Sequence, residues 1–406
     1  MTTPTTRARL IGLDGPRGMA CLCVMFVHVI AFFAPHQMEV GRLNYLAEAI
    51  VFFFALSGFL IYLPFVRAYA AGAPMPSLRR YSSQRLRRVY PGYIVIFLVA
   101  NFVMAAVYVN NAATTAVAGT DDGAGRITSI GRVLAHLTLV QNLSADDLQT
   151  GIAPSWSLTT ELSFYLLLPV LVWLFLRQLI DRAPRLWVAM LPAASMAVIG
   201  IAGKILTAHL QTQRPAMSVY DAEFGPNAIA VLARSIVVLA DNFAYGMVAV
   251  VLFVWMERGG LRRITARKLW LVCVPGWLFF LFASLVLSNL GSRFTGTALA
   301  IASGLFLVLV TEPSARGRDA WLGRLVDFAP LRFIGKISLS VYLWHYPVIL
   351  LVARHDRAGS DTPLGMLGSL ALVSSITIVL SMVTYYLVEA PAMRGGRTTE
   401  RRTREA

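Results

Sequence analysis

Apolar residues run in long blocks along this chain, and polar residues gather in short intervals between them. A block of about 18 or more apolar residues can cross a bilayer as a helix. Ten stretches meet that description, near 17–36, 47–66, 91–110, 157–177, 186–209, 227–256, 269–290, 294–311, 334–353 and 364–389. The pattern predicts an all-α polytopic integral membrane protein with about ten transmembrane helices. No polar interval is long enough to house a soluble domain, and no internal repeat is visible.

Charge then orients the spans. Of the 36 basic residues, 27 fall in alternate intervals, which by the positive-inside rule are cytoplasmic. Both termini are therefore expected in the cytoplasm. This divides the chain into a cytoplasmic N-terminal tail (1–12), a transmembrane domain (13–393) and a basic C-terminal tail (394–406), expected to be disordered and to touch anionic lipid. The first apolar run lacks a following small-residue cleavage site and is kept as a span.

Composition agrees with the class. The chain is 57% hydrophobic and 14% charged, against about 25% charged in soluble proteins. The net charge of +15 belongs to loop topology here and does not imply nucleic acid. Only Lys204, Lys268 and Lys336 are lysines, a bias that points to a GC-rich bacterial genome. Cys21, Cys23 and Cys273 all lie in apolar runs. Their spacing suggests packing, neither a metal site nor a disulfide framework.

The candidate chemistry lies in polar groups that a membrane span must justify. In "LDGPRGMACLCVMFVH" (13–28), Arg17 and His28 are eleven residues apart. On a helix they fall within roughly 20° of each other and about 16 Å apart along the axis. Asp14 is placed to cap that helix or to pair with Arg17. In "RRYSSQRLRRVYPGY" (79–93), Arg85 and Arg88 share a face just before the third span and suit an anion. In "PSWSLTTELSFYLLLP" (154–169), Glu161 has Ser157 and Tyr165 on its own face, at a depth expected near that of His28. A His28–Glu161 pair would fix the imidazole tautomer. His345, with Ser338, Tyr342 and Trp344 nearby, reads more simply as a packing histidine. Arg234 and Asp241, seven apart in the sixth span, could form a structural ion pair. Glu389 lies where it could meet the cytoplasmic arginines.

Taken in order, these segments resemble the acyltransferase family 3 membrane proteins. The opening Leu13, Asp14, Gly15, Arg17, Gly18 and His28 match the family's start. "FFFALSGFLI" (52–61), with Ser57, is similar to its second span. Arg85, Arg88, Tyr90 and Pro91 follow its Arg-x-x-Arg before Tyr-Pro. "WSLTTELSFYLLLP", from Trp156, "ISLSVYLWHYPVI" and "VEAPAMR" complete the series, so the likeness runs from residue 13 to about 394. Pro16, Leu162, Ser163 and Ala390 depart from the usual pattern, and no hydrolase-like domain is fused to the membrane part.

The resemblance implies an O-acyltransferase that uses acetyl-CoA or another acyl-CoA as donor and no metal. It places Arg17, Arg85 and Arg88 on the acyl-CoA, and His28 and Glu161 at the chemistry. Asp14, Ser57, Trp156, Ser157, Tyr165, Asp241, Tyr342, His345 and Glu389 are supporting candidates. The implied partners are membrane lipids and a hydroxyl acceptor: a cell-envelope glycolipid such as a trehalose mycolate, a polysaccharide or a natural product. Envelope-export proteins are further candidates, and the implied location is a bacterial inner membrane. Two other readings stay open on the residues alone. One is a transporter or flippase. The other is a lipid-linked glycosyltransferase using Glu39, Glu48, Asp121 or Asp122.

Overall fold

Apolar blocks without a breaker fold as uninterrupted helices, because a helix satisfies its own backbone where water is absent. The computed structural model describes residues 10–177 and 183–394. The expected tails, with Arg7, Arg9 and the terminal arginines beyond Arg394, lie outside the described residues, as does Arg182.

The first helices are α1 (Asp14–Phe33), α2 (Pro35–Val40), α3 (Ile50–Ala71), α4 (Leu78–Leu98), α5 (Ala112–Thr115) and α6 (Ile130–Leu137). Next come α7 (Trp156–Phe175), α8 (Leu186–Thr212), α9 (Val219–Phe224), α10 (Ala228–Ala233) and α11 (Ile236–Glu257). The last are α12 (Ala266–Asn289), α13 (Thr295–Ala315), α14 (Trp321–Val326), α15 (Ala329–Lys336), α16 (Ser338–Arg354) and α17 (Pro363–Thr384). Among the described residues nine helices are long and apolar enough to span, and the bent pair α15–α16 makes a tenth. The even count puts both described ends on one side. That side, here the basic end, also holds the loops after α3, α11 and α13.

Three expectations about the spans change. The third helix starts at Leu78 and its span ends at Val103, so Arg79 to Arg88 sit in its opening turns and not in a loop before it. Ser77 caps it by accepting from the Arg80 amide. The sixth apolar block breaks at Arg234, where Ser235 caps α11 through the Val237 amide. The ninth bends by 75° at Ile337.

The core is built around α11, which packs against α8, α3 and α13. Small residues let backbones touch where there is no hydrophobic drive to join helices. A Cβ at Gly246 would strike the Ala55 carbonyl, and one at Gly58 would strike the Phe243 carbonyl. α12 lies at the edge, with most of its surface toward lipid.

The opposite end carries a cap. A short antiparallel hairpin, β1 (Val107–Tyr108) with β2 (Ala124–Gly125), follows α4. Arg354 clamps it, bonding Asp121 at 2.6 Å and the Met104 and Ala105 carbonyls at 2.7 Å each. Behind the hairpin His136 is fully buried. It stacks on Phe97 and meets the Thr150 hydroxyl at 3.1 Å. The chain then dips into the bundle: residues 148–160 are buried throughout. α7 therefore begins deep inside, not at the surface.

Candidate active site

Two cavities meet inside the bundle. The one nearer the basic end is small, about 70 Å³, and is lined by Arg17, Ser57, Arg88, Ser157, Glu161, Tyr165 and Tyr342, among others. The other is about 210 Å³, and its lining includes His28, Glu48, Trp156, Lys204, Glu223, Arg234, Asn242, Arg293 and Tyr342.

The small pocket assembles five segments named from sequence. Glu161 accepts hydrogen bonds from Ser57 Oγ at 2.8 Å and from Tyr165 OH at 2.6 Å. Tyr342 OH donates to the Pro154 carbonyl and receives Ser157 Oγ, each at 2.8 Å. Arg17 lies 3.8 Å from Asp14. Asp14 is not the cap of α1: Leu13 holds that position with no side-chain bond. The carboxylate of Asp327 accepts from the Gly12 and Gly15 amides across the fold instead. Arg85 is not among the residues lining the pocket. Its Nε is buried without a hydrogen-bond partner among the described residues. Glu389 accepts from Ser340 and lies within electrostatic reach of Arg88.

His28 has a different partner from the one expected. Its Nδ1 meets His345 Nε2 at 3.0 Å, with the ring planes nearly parallel at 13°. Glu161 keeps company with the arginines, because the deep start of α7 carries it toward the basic end. The tautomers follow from the far side of His345, whose Nδ1 faces the Val341 carbonyl at 3.3 Å. A carbonyl only accepts, so His345 carries its proton on Nδ1. Its Nε2 then accepts from His28 Nδ1–H. Among the described residues His28 Nε2 has no hydrogen-bond partner, which leaves its lone pair free on a part-buried side chain that lines the larger cavity. Tyr346 packs edge-on against both rings.

The Arg234–Asp241 pair is also corrected. The break after Arg234 separates them in space. Asp241 receives Lys204 Nζ at 2.5 Å and Thr297 Oγ1 at 2.5 Å. Arg234 sits 3.7 Å from Glu223 and lies over the rings of Trp156 and Phe224. Lys204, Glu223 and Arg293 were not among the site candidates in the sequence, and Glu48 entered only with the glycosyltransferase reading. Lys204 carried a clear signal, a lysine inside an apolar run. Glu223 and Arg293 lie in polar intervals and carried none. Among the described residues no group of three or more His, Cys, Asp or Glu is placed to hold a metal.

Comparison with known proteins bears on this geometry. A family described as an acyltransferase domain matches residues 10–386. The chain belongs to this acyltransferase family. It is similar to the putative peptidoglycan O-acetyltransferase YrhL of Bacillus subtilis, at 30% identity over 26% of the chain and 15% of the relative. It is 24% identical to the peptidoglycan O-acetyltransferase OatA of Listeria monocytogenes, over 97% of the chain and 57% of the relative. It is 26% identical to the acyltransferase MdmB of Streptomyces mycarofaciens, over 96% of the chain and 93% of the relative. The chain thus spans little more than half of OatA and a small part of YrhL. No solved structure matches it. The matched span covers both cavities and all the helices that line them.

Proposed function

We propose that this protein is a membrane O-acyltransferase that moves a short acyl group, acetyl above all, from cytosolic acyl-CoA to a hydroxyl group. The observation that carries the reading is the pair of cavities meeting at Tyr342, with an arginine-lined pocket on one side and an imidazole with a free Nε2 on the other. Acyl-CoA enters from the basic end, and its phosphates meet Arg88 and Arg17, whose guanidinium groups suit phosphate oxygens. The acceptor occupies the larger cavity. His28 Nε2 takes the proton of the acceptor hydroxyl as its oxygen attacks the thioester carbonyl. The C–S bond breaks, an ester C–O bond forms, and the imidazolium returns the proton to the departing thiolate. Glu161 acts at the donor pocket, where it holds Ser57 and Tyr165 in place.

The acceptor is an envelope carbohydrate, a glycolipid or a natural-product alcohol, and the setting a bacterial inner membrane. The names of the relatives support these classes: OatA is named a peptidoglycan O-acetyltransferase, YrhL a putative one, and MdmB an acyltransferase. Two cavities on opposite sides of a thin wall also suit a transporter, and one experiment separates the readings. Purified protein is incubated with radiolabelled acetyl-CoA and a bacterial envelope extract. Transfer of label by wild type, lost in His28→Ala, is the expected result. Full transfer by His28→Ala removes the base, and transport without any acyl transfer favours the second reading.

A further inference from the structure

The two cavities share three lining residues, Ile50, Phe54 and Tyr342. Ile50 and Phe54 are four apart on α3, so they stand one above the other on a single face. Tyr342 comes from α16 and is anchored through its hydroxyl to Ser157 and Pro154. Phe54 is wedged between Trp156 and Phe243, with ring centres 6.2 and 4.9 Å away. It is 3% exposed. Two of the three side chains are therefore fixed, one by hydrogen bonds and one by packed rings.

This wall lies between the donor arginines and His28. A thioester held by Arg17 and Arg88 must project its acyl group through the wall to reach an acceptor at His28. We infer that Ile50, Phe54 and Tyr342 form an acyl-length filter, which admits a two-carbon acyl group and rejects chains of four carbons or more. The inference rests on the proposed transfer from acyl-CoA. Its physical basis is packing. A packed wall accommodates extra methylenes only by forcing side chains off their preferred rotamers. A short acyl group needs no such displacement.

The test measures transfer from acetyl-, butyryl- and hexanoyl-CoA to a bacterial envelope extract, with the full chain in lipid nanodiscs. Wild type is expected to prefer acetyl over hexanoyl by at least 50-fold. Ile50→Ala and Phe54→Ala should each raise the hexanoyl-to-acetyl ratio at least tenfold. Phe52→Ala, on the same helix but facing Phe306, should leave the ratio unchanged. An unaltered ratio in both wall variants, with acetyl transfer intact, overturns the filter and leaves the acyl transfer standing. An equal rise in Phe52→Ala also overturns it, since loosening anywhere on α3 would then suffice. Wild type that consumes none of the three donors removes the underlying transfer itself, and with it the filter.

Discussion

At His28 two imidazoles share one proton between facing nitrogens, and the Val341 carbonyl decides which ring owns it. A change at His345 should therefore act on His28 without touching substrate. His345→Ala is expected to lower kcat by roughly 10- to 10⁴-fold, the upper figure being the cost of a reversed tautomer in a hydrolytic triad. His345→Gln retains a side-chain acceptor and should recover part of it. Single-turnover assays with saturating donor check this, and wild-type kcat in His345→Ala would refute the coupling. The two arginines are separable by the same logic. Arg88 lines the small pocket proposed for the donor and Arg85 does not. Loss of a hydrogen bond to a charged group costs about 1.5–3 kcal/mol. Arg88→Ala should thus raise the donor KM tenfold or more, with Arg85→Ala well below that. Equal effects would show that the arginines act only through overall charge. Sequence revealed these residues better than it revealed their pairings. Eleven-residue spacing on one helix is arithmetic, but the partner of His28 lies 317 positions away. The depth of Glu161 depends on a loop that dives into the bundle.

Helix by helix, the decisive contacts are between backbones. The Ala55 carbonyl occupies the space where a Gly246 side chain would stand. Gly246→Ala is expected to destabilise by about 1–3 kcal/mol, read as a lower midpoint of thermal unfolding in detergent. Trimming Ala55 to glycine should not rescue it, because the obstacle is a carbonyl. The cap answers to acid. His136 lies outside the spanning segments, and burial lowers its pKa from 6.5 to about 4. The folded cap thus holds the imidazole neutral, whereas the unfolded chain takes up a proton near pH 6.5. The stabilisation is complete above about pH 6.5, falls away toward pH 4, and amounts to at most about 3 kcal/mol. Thermal midpoints measured from pH 7.5 to 4.5 should decline less steeply in His136→Gln than in wild type. Parallel curves would rule the residue out. Apolar block length located the spanning helices, the start of α7 to within a residue, yet it could not place the start of α4, the depth of α7 or the break at Arg234. Arginines can begin a span as readily as precede it, and a polar residue in an apolar block looks the same in a bend as in a straight helix.

For the molecule as a whole, an even number of spans places the loops after α3, α11 and α13 on the same side as the C-terminal end of the described chain. The positive-inside rule assigns that side to the cytoplasm. With the three native cysteines replaced by alanine, a cysteine at Ser360 should react with an impermeant maleimide in intact cells. One at Arg263 should react only after permeabilisation. The reverse pattern would turn the arginine-lined pocket away from the cytosol and overturn the proposed use of cytosolic acyl-CoA. Fold class and span count were legible because membrane insertion writes them into hydropathy and charge. The larger cavity was not, since it draws on side chains from seven separate regions of the chain.

The backbone contacts of α3 with α11, and the exposed position of α12, also determine how the protein meets bilayers of different thickness. A helix that does not match the hydrocarbon layer tilts, at a cost of fractions of a kcal/mol per ångström. α3 and α11 cannot tilt apart without prising glycine from carbonyl, so they respond as one body. α12 packs mainly on α13, and a Cβ at its one glycine, Gly276, would meet only the Leu305 side chain. Lipid chain length should therefore be absorbed at α12, whose own residues line neither cavity, and the spacing from Arg88 to His28 should be the same in a thin membrane as in a thick one.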